Sequence, residues 1–154
     1  MNKVTQSIYK KKVDNLEQGG SGVALEDLVD AEGNKRFIEG AGSSSLEGIT
    51  IKYNKWSLSG THLMIVLSFV TTGAVSQYSI LANYNLPDYI LNKIVAVAFN
   101  DLVCEKTETS MDANVDLRKF QLRKQGNEIK IVTYSNISAG REFRVQFDLL
   151  IDAE

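Results

Sequence analysis

The feature that most constrains the fold of this chain is an alternation of apolar and polar residues near its C-terminal end. Between residues 142 and 152 every second side chain is large and apolar, and only Leu150 breaks the phase. A repeat of two residues is typical of a β-strand with one buried and one solvent-facing side. The apolar side consists of Phe143, Val145, Phe147, Leu149 and Ile151. The chain must therefore build a sheet whose core covers this side.

Strand patterns recur through the preceding hundred residues. The alternation in residues 49–53 changes phase at Asn54 and Lys55, which indicates a bulge. About eight strands at the observed spacing predict an all-β fold, an antiparallel β-sandwich similar to a jelly roll. The other predicted strands cover residues 56–59, 62–70, 77–84, 94–99, 102–106, 115–122 and 128–134.

Two short signals mark connections between these strands. Gly60, between Ser59 and Thr61, predicts a hairpin turn. Pro87 is the only proline, and Asp88 follows it while Lys93 stands further on. Proline and an acidic residue favour the first turn of a helix, and a basic residue favours the last. We therefore expect one short helix inside the sandwich.

Residues 63–70 are apolar on both faces of the predicted strand. A strand of this kind lies either in the centre of a sheet or at a contact between subunits. We expect one of its faces to form the interface of an oligomer. The side chains on that face are Leu63, Ile65, Leu67 and Phe69.

Glycine placement divides the chain into two regions. Seven of the 11 glycines fall in residues 1–48, and the clusters at 19–22 and 41–45 have the composition of linkers. We therefore predict an extended N-terminal arm with Gly/Ser hinges, residues 1–45, and a β-sandwich domain, residues 46–154. The short apolar pieces of the arm bury little surface, so another surface must order it.

Residues 30–34 of the arm have the composition of a reverse turn. Asp30, Gly33 and Asn34 tolerate left-handed backbone, and the acidic and amide side chains bond to their own main chain. The alternative is a calcium loop of the EF-hand type, but the glycine comes too early for that spacing. The turn is the preferred interpretation.

Composition limits the chemistry that this chain can perform. The net charge is −2, from 17 basic and 19 acidic residues, which argues against general nucleic-acid binding. One cysteine and one histidine exclude a zinc site built from these residue types, and no glycine-rich phosphate loop occurs. The sequence has no signature of the nucleophile or the orienting acid that His62 would need as a catalytic base, so we expect it only to hydrogen-bond locally. We expect no enzymatic activity, no cofactor or metal and no membrane insertion.

Two groups of side chains are candidates for binding. Sugar sites use exposed aromatic rings beside polar groups, and the alternative for each ring is a place in the core or an interface. The available rings are Trp56, Tyr78, Tyr84, Tyr89 and Tyr134. Near the N-terminus, a basic and partly apolar segment can become ordered on an acidic partner surface, the alternative being a solvated, frayed terminus. Its residues are Ile8, Tyr9, Lys10, Lys11 and Lys12.

Three stretches in this order resemble the short head-fibre and related fibre or adhesin proteins of tailed bacteriophages. They are residues 28–37 (LVDAEGNKRF), 53–63 (YNKWSLSGTHL) and 85–94 (NLPDYILNKI). The similarity covers about residues 23–100 and continues more loosely to the C-terminus. Each motif is weak alone, and the specificity comes from the combination.

The resemblance implies a structural virion protein without enzymatic activity, assembled in the host cytoplasm. Such a head-fibre or decoration protein forms a homotrimer in preference to a dimer. Its arm docks on the major capsid protein or another virion protein, and its β domain projects outward and aids host attachment. One alternative is a tail-fibre or baseplate module that binds a receptor or a host surface glycan. Another is a hydrolase or lyase on a jelly-roll scaffold, which requires two carboxyl groups in a hollow.

Overall fold

Antiparallel strands make up most of the described chain. The computed structural model describes residues 24, 27–97, 102–106, 111–113 and 119–152. The elements are β1 (Phe37–Ala41), β2 (Ile49–Ser59), β3 (His62–Thr71), β4 (Ile80–Tyr84), α1 (Asp88–Leu91), β5 (Ile94–Val97), β6 (Leu102–Lys106), β7 (Met111–Ala113), β8 (Phe120–Gln125), β9 (Glu128–Thr133) and β10 (Glu142–Ile151).

The larger of two sheets, the large sheet, is built around β3 and β10. Its strands lie in the order β1-β2-β3-β10-β6-β7, and β5 pairs with β10 beyond the end of β6. β10 thus has partners along both edges, and its sequence alternates because one of its faces lies in the core. The apolar residues of its predicted buried side are all at most 5% exposed. The strand predicted from residues 142–152 is confirmed.

The smaller sheet, the small sheet, has the order β4-β9-β8 and packs against the large sheet. Three phenylalanine rings join the two sheets. Phe120 of β8 lies 6.0 Å from Phe69 of β3 and 5.3 Å from Phe143 of β10, measured between ring centroids. Both contacts are edge-to-face, the geometry that aromatic rings prefer. The predicted all-β sandwich with one short helix is confirmed.

The buried face of β3 corrects one sequence prediction. Leu63, Ile65, Leu67 and Phe69 are each 0% exposed within the single chain, in the core between the sheets. A side chain without exposed area cannot contact another copy of the protein. The predicted oligomer interface at these four residues is therefore wrong, and the first alternative, a central strand, is correct.

The described part of the predicted arm lies on the β domain. β1 pairs with β2 from Phe37 opposite Ser59 to Ala41 opposite Lys55, and Leu28 is buried. Residues on both sides of the boundary expected between residues 45 and 46 thus pack in the β domain. The large sheet of the same chain supplies the surface that orders residues 27–45. The rest of the described arm is residue 24.

Asp30 organises the turn that the sequence predicted at residues 30–34. Its Oδ1 accepts hydrogen bonds from the main-chain N–H groups of Glu32 (2.9 Å) and Asn34 (2.8 Å), and its Oδ2 lies 3.2 Å from Nη2 of the buried Arg36. Burial acts to raise the pKa of Asp30, but the hydrogen bonds from Asn34 and Glu32 and the charge of Arg36 outweigh it and lower the pKa. The turn is confirmed.

Gly42 shows that the predicted linker at residues 41–45 is a packed segment. A Cβ at this position would lie 2.6 Å from Cε1 of the buried Tyr84 and closer still to Oδ1 of Asn54. Ser43 pairs with Asn83 of β4 through two hydrogen bonds of 2.8 Å. Glycine is therefore present for close approach of the chain and not as a hinge.

The hairpin turn, the helix and the bulge follow the sequence with small differences. Gly60 has φ of +68° in the two-residue turn between β2 and β3, as a tight hairpin requires. α1 begins directly after Pro87, and its Ile90 and Leu91 are buried. The register shift in β2 falls between Ile51 and Tyr53, earlier than the phase change at Asn54 had indicated.

Candidate functional site

Two loops lie side by side at one end of the small sheet, and a pair of main-chain hydrogen bonds fixes them together. Val75 and Ile137 exchange N–H···O bonds of 2.8 Å in each direction, and both side chains are buried. The two loops, residues 72–79 and 134–140, contain no charged residue but several hydroxyl and amide side chains. This bridge positions the tyrosine that each loop carries.

Tyr78 has an unusual backbone conformation. Its φ is +67°, and among the described residues it is the only one other than glycine with positive φ. Its N–H donates to the carbonyl of Thr133 at 2.7 Å, and the carbonyl of Ser79 accepts from Thr133 at 3.0 Å. These bonds hold the left-handed conformation, which costs a residue with a side chain about 1–2 kcal/mol. The ring points outward and Tyr78 is 59% exposed.

The ring of Tyr134 lies beside that of Tyr78. Their centroids are 5.5 Å apart and their planes meet at 86°. Arg123 of β8 donates from Nη2 to the Tyr134 hydroxyl at 2.6 Å, and its guanidinium carbon lies 5.2 Å from the Tyr134 centroid. The two rings thus form a corner with a cation at one wall. We call Tyr78, Tyr134 and Arg123 the aromatic corner.

Amide groups surround the aromatic corner. Gln77 donates from its side chain to the carbonyl of Tyr134 at 2.9 Å, and its main-chain N–H donates to Oδ1 of Asn136 at 2.8 Å. Ile80, 39% exposed, pairs with the buried Val132 next to the corner. Aromatic rings, a partly exposed apolar side chain and amide groups together suit a ligand with both apolar and hydroxyl surfaces.

The structure separates the five aromatic residues that the sequence offered for sugar binding. It brings Tyr78 and Tyr134 together at the surface. Trp56 and Tyr84 are in the core, and burial raises the pKa of Tyr84. Tyr89 is half-buried and donates its hydroxyl to the carbonyl of Lys35 at 3.0 Å. Sequence reasoning missed Arg123, since nothing in its neighbours predicts contact with Tyr134.

His62 has a partner that the sequence did not indicate. Its Nε2 lies 3.1 Å from Oδ1 of Asp148, a buried carboxyl group on β10. A catalytic triad would add a hydroxyl or thiol within hydrogen-bond reach of the histidine. Among the described residues, no hydroxyl or thiol group hydrogen-bonds to His62. His62 thus forms a hydrogen bond, but with a residue on another strand and not with a neighbour in the chain as the sequence predicted.

The basic segment that the sequence offered for docking lies outside the described residues. It consists of Ile8, Tyr9, Lys10, Lys11 and Lys12. No group of three or more His, Cys, Asp or Glu side chains that could hold a metal ion occurs in the part of the chain that the structure describes. Nor does that part contain a helix long and apolar enough to cross a membrane.

Comparison with known proteins found no relative. Neither a family model, a curated protein nor a solved structure matches this chain.

Proposed function

We propose that this protein is a β-sandwich binding module without enzymatic activity, and that the aromatic corner binds a sugar ring. The observation that carries the proposal is the pair of exposed tyrosine rings, Tyr78 and Tyr134, at 5.5 Å and 86°. A sugar ring presents C–H groups that contact aromatic rings, and hydroxyl groups that hydrogen-bond to amide and guanidinium groups. The corner and its amide rim offer both kinds of contact in one place.

The backbone of Tyr78 supports a role for this residue beyond packing. A positive φ outside glycine is uncommon, and such residues concentrate at ligand sites where the surrounding structure enforces them. The ring is mostly exposed, so burial in the core does not offset the strain. Binding of a ligand by the ring gives a reason for tyrosine at a position that glycine would occupy without strain.

The proposal is tested by screening the labelled full-length protein on a glycan array and measuring the sugars that bind by calorimetry. Tyr78→Ala should weaken binding by about tenfold or more, because the stacking surface is lost. Tyr53→Ala is the matched control, since Tyr53 is 45% exposed on the large sheet and also contacts a cation, Lys55. Its affinity should stay within about twofold of wild type.

Two results would oppose the proposal. One is an array on which the wild-type protein binds no glycan. The other is equal loss of affinity in the Tyr78→Ala and Tyr53→Ala variants, because this would show that the corner is not the binding surface. Circular dichroism of each variant confirms that the fold is retained.

A virion role is a second proposal, and it is compatible with the first. A head-fibre or decoration protein that projects from a particle can carry a sugar-binding surface, and a tail-fibre or baseplate module is the alternative location. The support is the resemblance of the three stretches to phage fibre proteins. Because residues 27–45 pack on the β domain, we propose docking on the capsid through residues 1–22, with Ile8, Tyr9 and the three following lysines at its centre.

Light scattering after size-exclusion chromatography tests the expected homotrimer. A particle mass of about three times 17.1 kDa supports it, and a monomer at micromolar concentration opposes it. Deletion of residues 1–16 should leave the far-ultraviolet circular dichroism spectrum of the sandwich unchanged and abolish incorporation into particles. Normal incorporation of the truncated protein would contradict docking through this segment.

A further inference from the structure

Arg123 is the charged side chain of the aromatic corner. Its Nη2 donates to the Tyr134 hydroxyl at 2.6 Å, and its guanidinium carbon lies 5.2 Å from the centroid of the same ring. A guanidinium group has five N–H donors in a rigid, planar arrangement. The bond to Tyr134 uses one of the two hydrogens of Nη2 and fixes the direction of the group. The other Nη2 hydrogen and the parallel hydrogen of its neighbour, Nε or Nη1, remain for another acceptor. Two parallel N–H donors match the geometry of a carboxylate.

The protein itself provides no carboxylate for Arg123 among the described residues. On β9, Lys130 stands directly opposite Arg123 on the same face of the small sheet. Two like charges in this arrangement repel each other. The neighbouring carboxyl group on this face, Glu128, stands opposite Gln125, one residue pair of the same face away from Arg123, and it lies 3.7 Å from Nζ of Lys130 instead.

The loops around the corner add no acidic group. Residues 72–79 and 134–140 contain serine, threonine, glutamine and asparagine but neither aspartate nor glutamate. These two loops therefore place no carboxylate beside the positive charge of Arg123. A neutral sugar would leave the oriented guanidinium without an ionic partner, whereas an acidic sugar would provide one.

We infer that the sugar bound at the aromatic corner carries a carboxylate group, as uronic acids and sialic acids do, and that Arg123 binds this group while Tyr78 and Tyr134 contact the ring. The inference rests on the proposed function. Arg123 is then the residue that determines specificity, and the two tyrosines provide affinity common to neutral and acidic sugars.

The test compares sugars that differ only in the carboxyl group. Calorimetry with the full-length protein measures binding of oligogalacturonate and of its methyl ester, and of sialyllactose and of its methyl ester. In at least one pair the acidic sugar should bind at least about tenfold more tightly, because a charge-assisted hydrogen bond is stronger than a neutral one. The preference should decrease as salt concentration rises.

Four variants test whether the preference depends on Arg123. Arg123→Gln should bind acidic and neutral sugars with equal, weak affinity, and Tyr78→Ala should lose binding of both. Lys55→Gln removes a cation that lies 5.8 Å from the Tyr53 ring on the large sheet, and it should bind like wild type. Thermal unfolding of Arg123→Gln shows whether the sheet is intact, and Arg123→Lys tests whether the planar group is needed.

The outcomes separate the two proposals. Equal affinity for acidic and neutral sugars, with binding that depends on Tyr78, would overturn the carboxylate inference and leave the proposed function in place. Retention of the acid preference in Arg123→Gln would also overturn it. If the wild-type protein binds none of these sugars and no other glycan, both proposals fail.

Discussion

At the scale of single residues, the properties of this protein depend on a few side chains in unusual environments. Tyr78 adopts a left-handed backbone conformation at the surface. Arg36 is fully buried and forms an ion pair with Asp30, whose other oxygen holds the turn at residues 30–34. Main-chain hydrogen bonds hold the backbone of Tyr78 and the turn that positions Asp30.

The strain at Tyr78 predicts an inverted order of stability for two variants that both lack the ring. Tyr78→Gly should be more stable than Tyr78→Ala by about 1 kcal/mol, because glycine adopts a positive φ without steric cost. Denaturant unfolding measures the difference. At Gln77, where φ is not positive, the order should be reversed, with alanine more stable than glycine. The same order at both positions would show that Tyr78 is not strained.

At the scale of elements, the sandwich depends on close approach between neighbouring segments. The segment after β1 crosses Tyr84 of β4 and Asn54 of β2, and Gly42 lies at the contact. Ser43 then pairs with Asn83 at the edge of β4. This contact joins the large sheet to the small sheet and covers one edge of β4 that would otherwise be available for pairing with another chain.

Substitution of Gly42 tests the importance of this approach. Gly42→Ala should lower the free energy of unfolding by about 1–3 kcal/mol, because the added methyl group must displace the ring of Tyr84 or the amide of Asn54. Ser45→Ala, at an exposed position in the same segment, is the control and should change stability by less than about 0.5 kcal/mol. If the two variants are equally stable, residues 41–45 behave as the linker that their composition suggested.

At the scale of the whole molecule, ion pairs connect segments that are distant in the chain. Arg141 binds Glu105 of β6, and this hydrogen bond lowers the pKa of the glutamate more than its partial burial raises it. Lys52 of β2 lies 2.8 Å from Glu142 of β10 across β3, and the bond lowers the pKa of Glu142. With Asp30, these carboxyl groups bind protons less readily in the folded protein than in the unfolded chain.

The direction of these shifts predicts a loss of stability in acid. Because the folded-state pKa values are lowered, the stabilisation is present above the unfolded values and is lost as the pH falls through the folded ones, below about 4. Thermal unfolding between pH 7 and 3 should show this decrease. Glu105→Gln combined with Glu142→Gln should reduce it, whereas Glu39→Gln combined with Glu47→Gln, at exposed positions, should not. A flat wild-type profile would contradict the prediction.

The sequence by itself determined the fold class and many local features. Alternation in residues 142–152, glycine in the turn at residue 60 and proline before α1 depend on nearest neighbours, and the structure agrees with each. The sequence predicted the start of β4 too early, for a local reason that composition does not reveal. The predicted strand began at residue 77, but the left-handed backbone of Tyr78 delays it to Ile80.

Only the tertiary structure decided which apolar and aromatic side chains are buried and which meet at the surface. The apolar face of β3 has a composition that suits an interface as well as a core. The small sheet covers this face, so its side chains are buried in the core: Leu63, Ile65, Leu67 and Phe69. Tyr78 and Tyr134 are far apart in the chain and meet because the bridge between Val75 and Ile137 joins their loops. The period of a strand depends on adjacent residues, but a binding surface depends on contacts between distant ones, which periodicity does not encode.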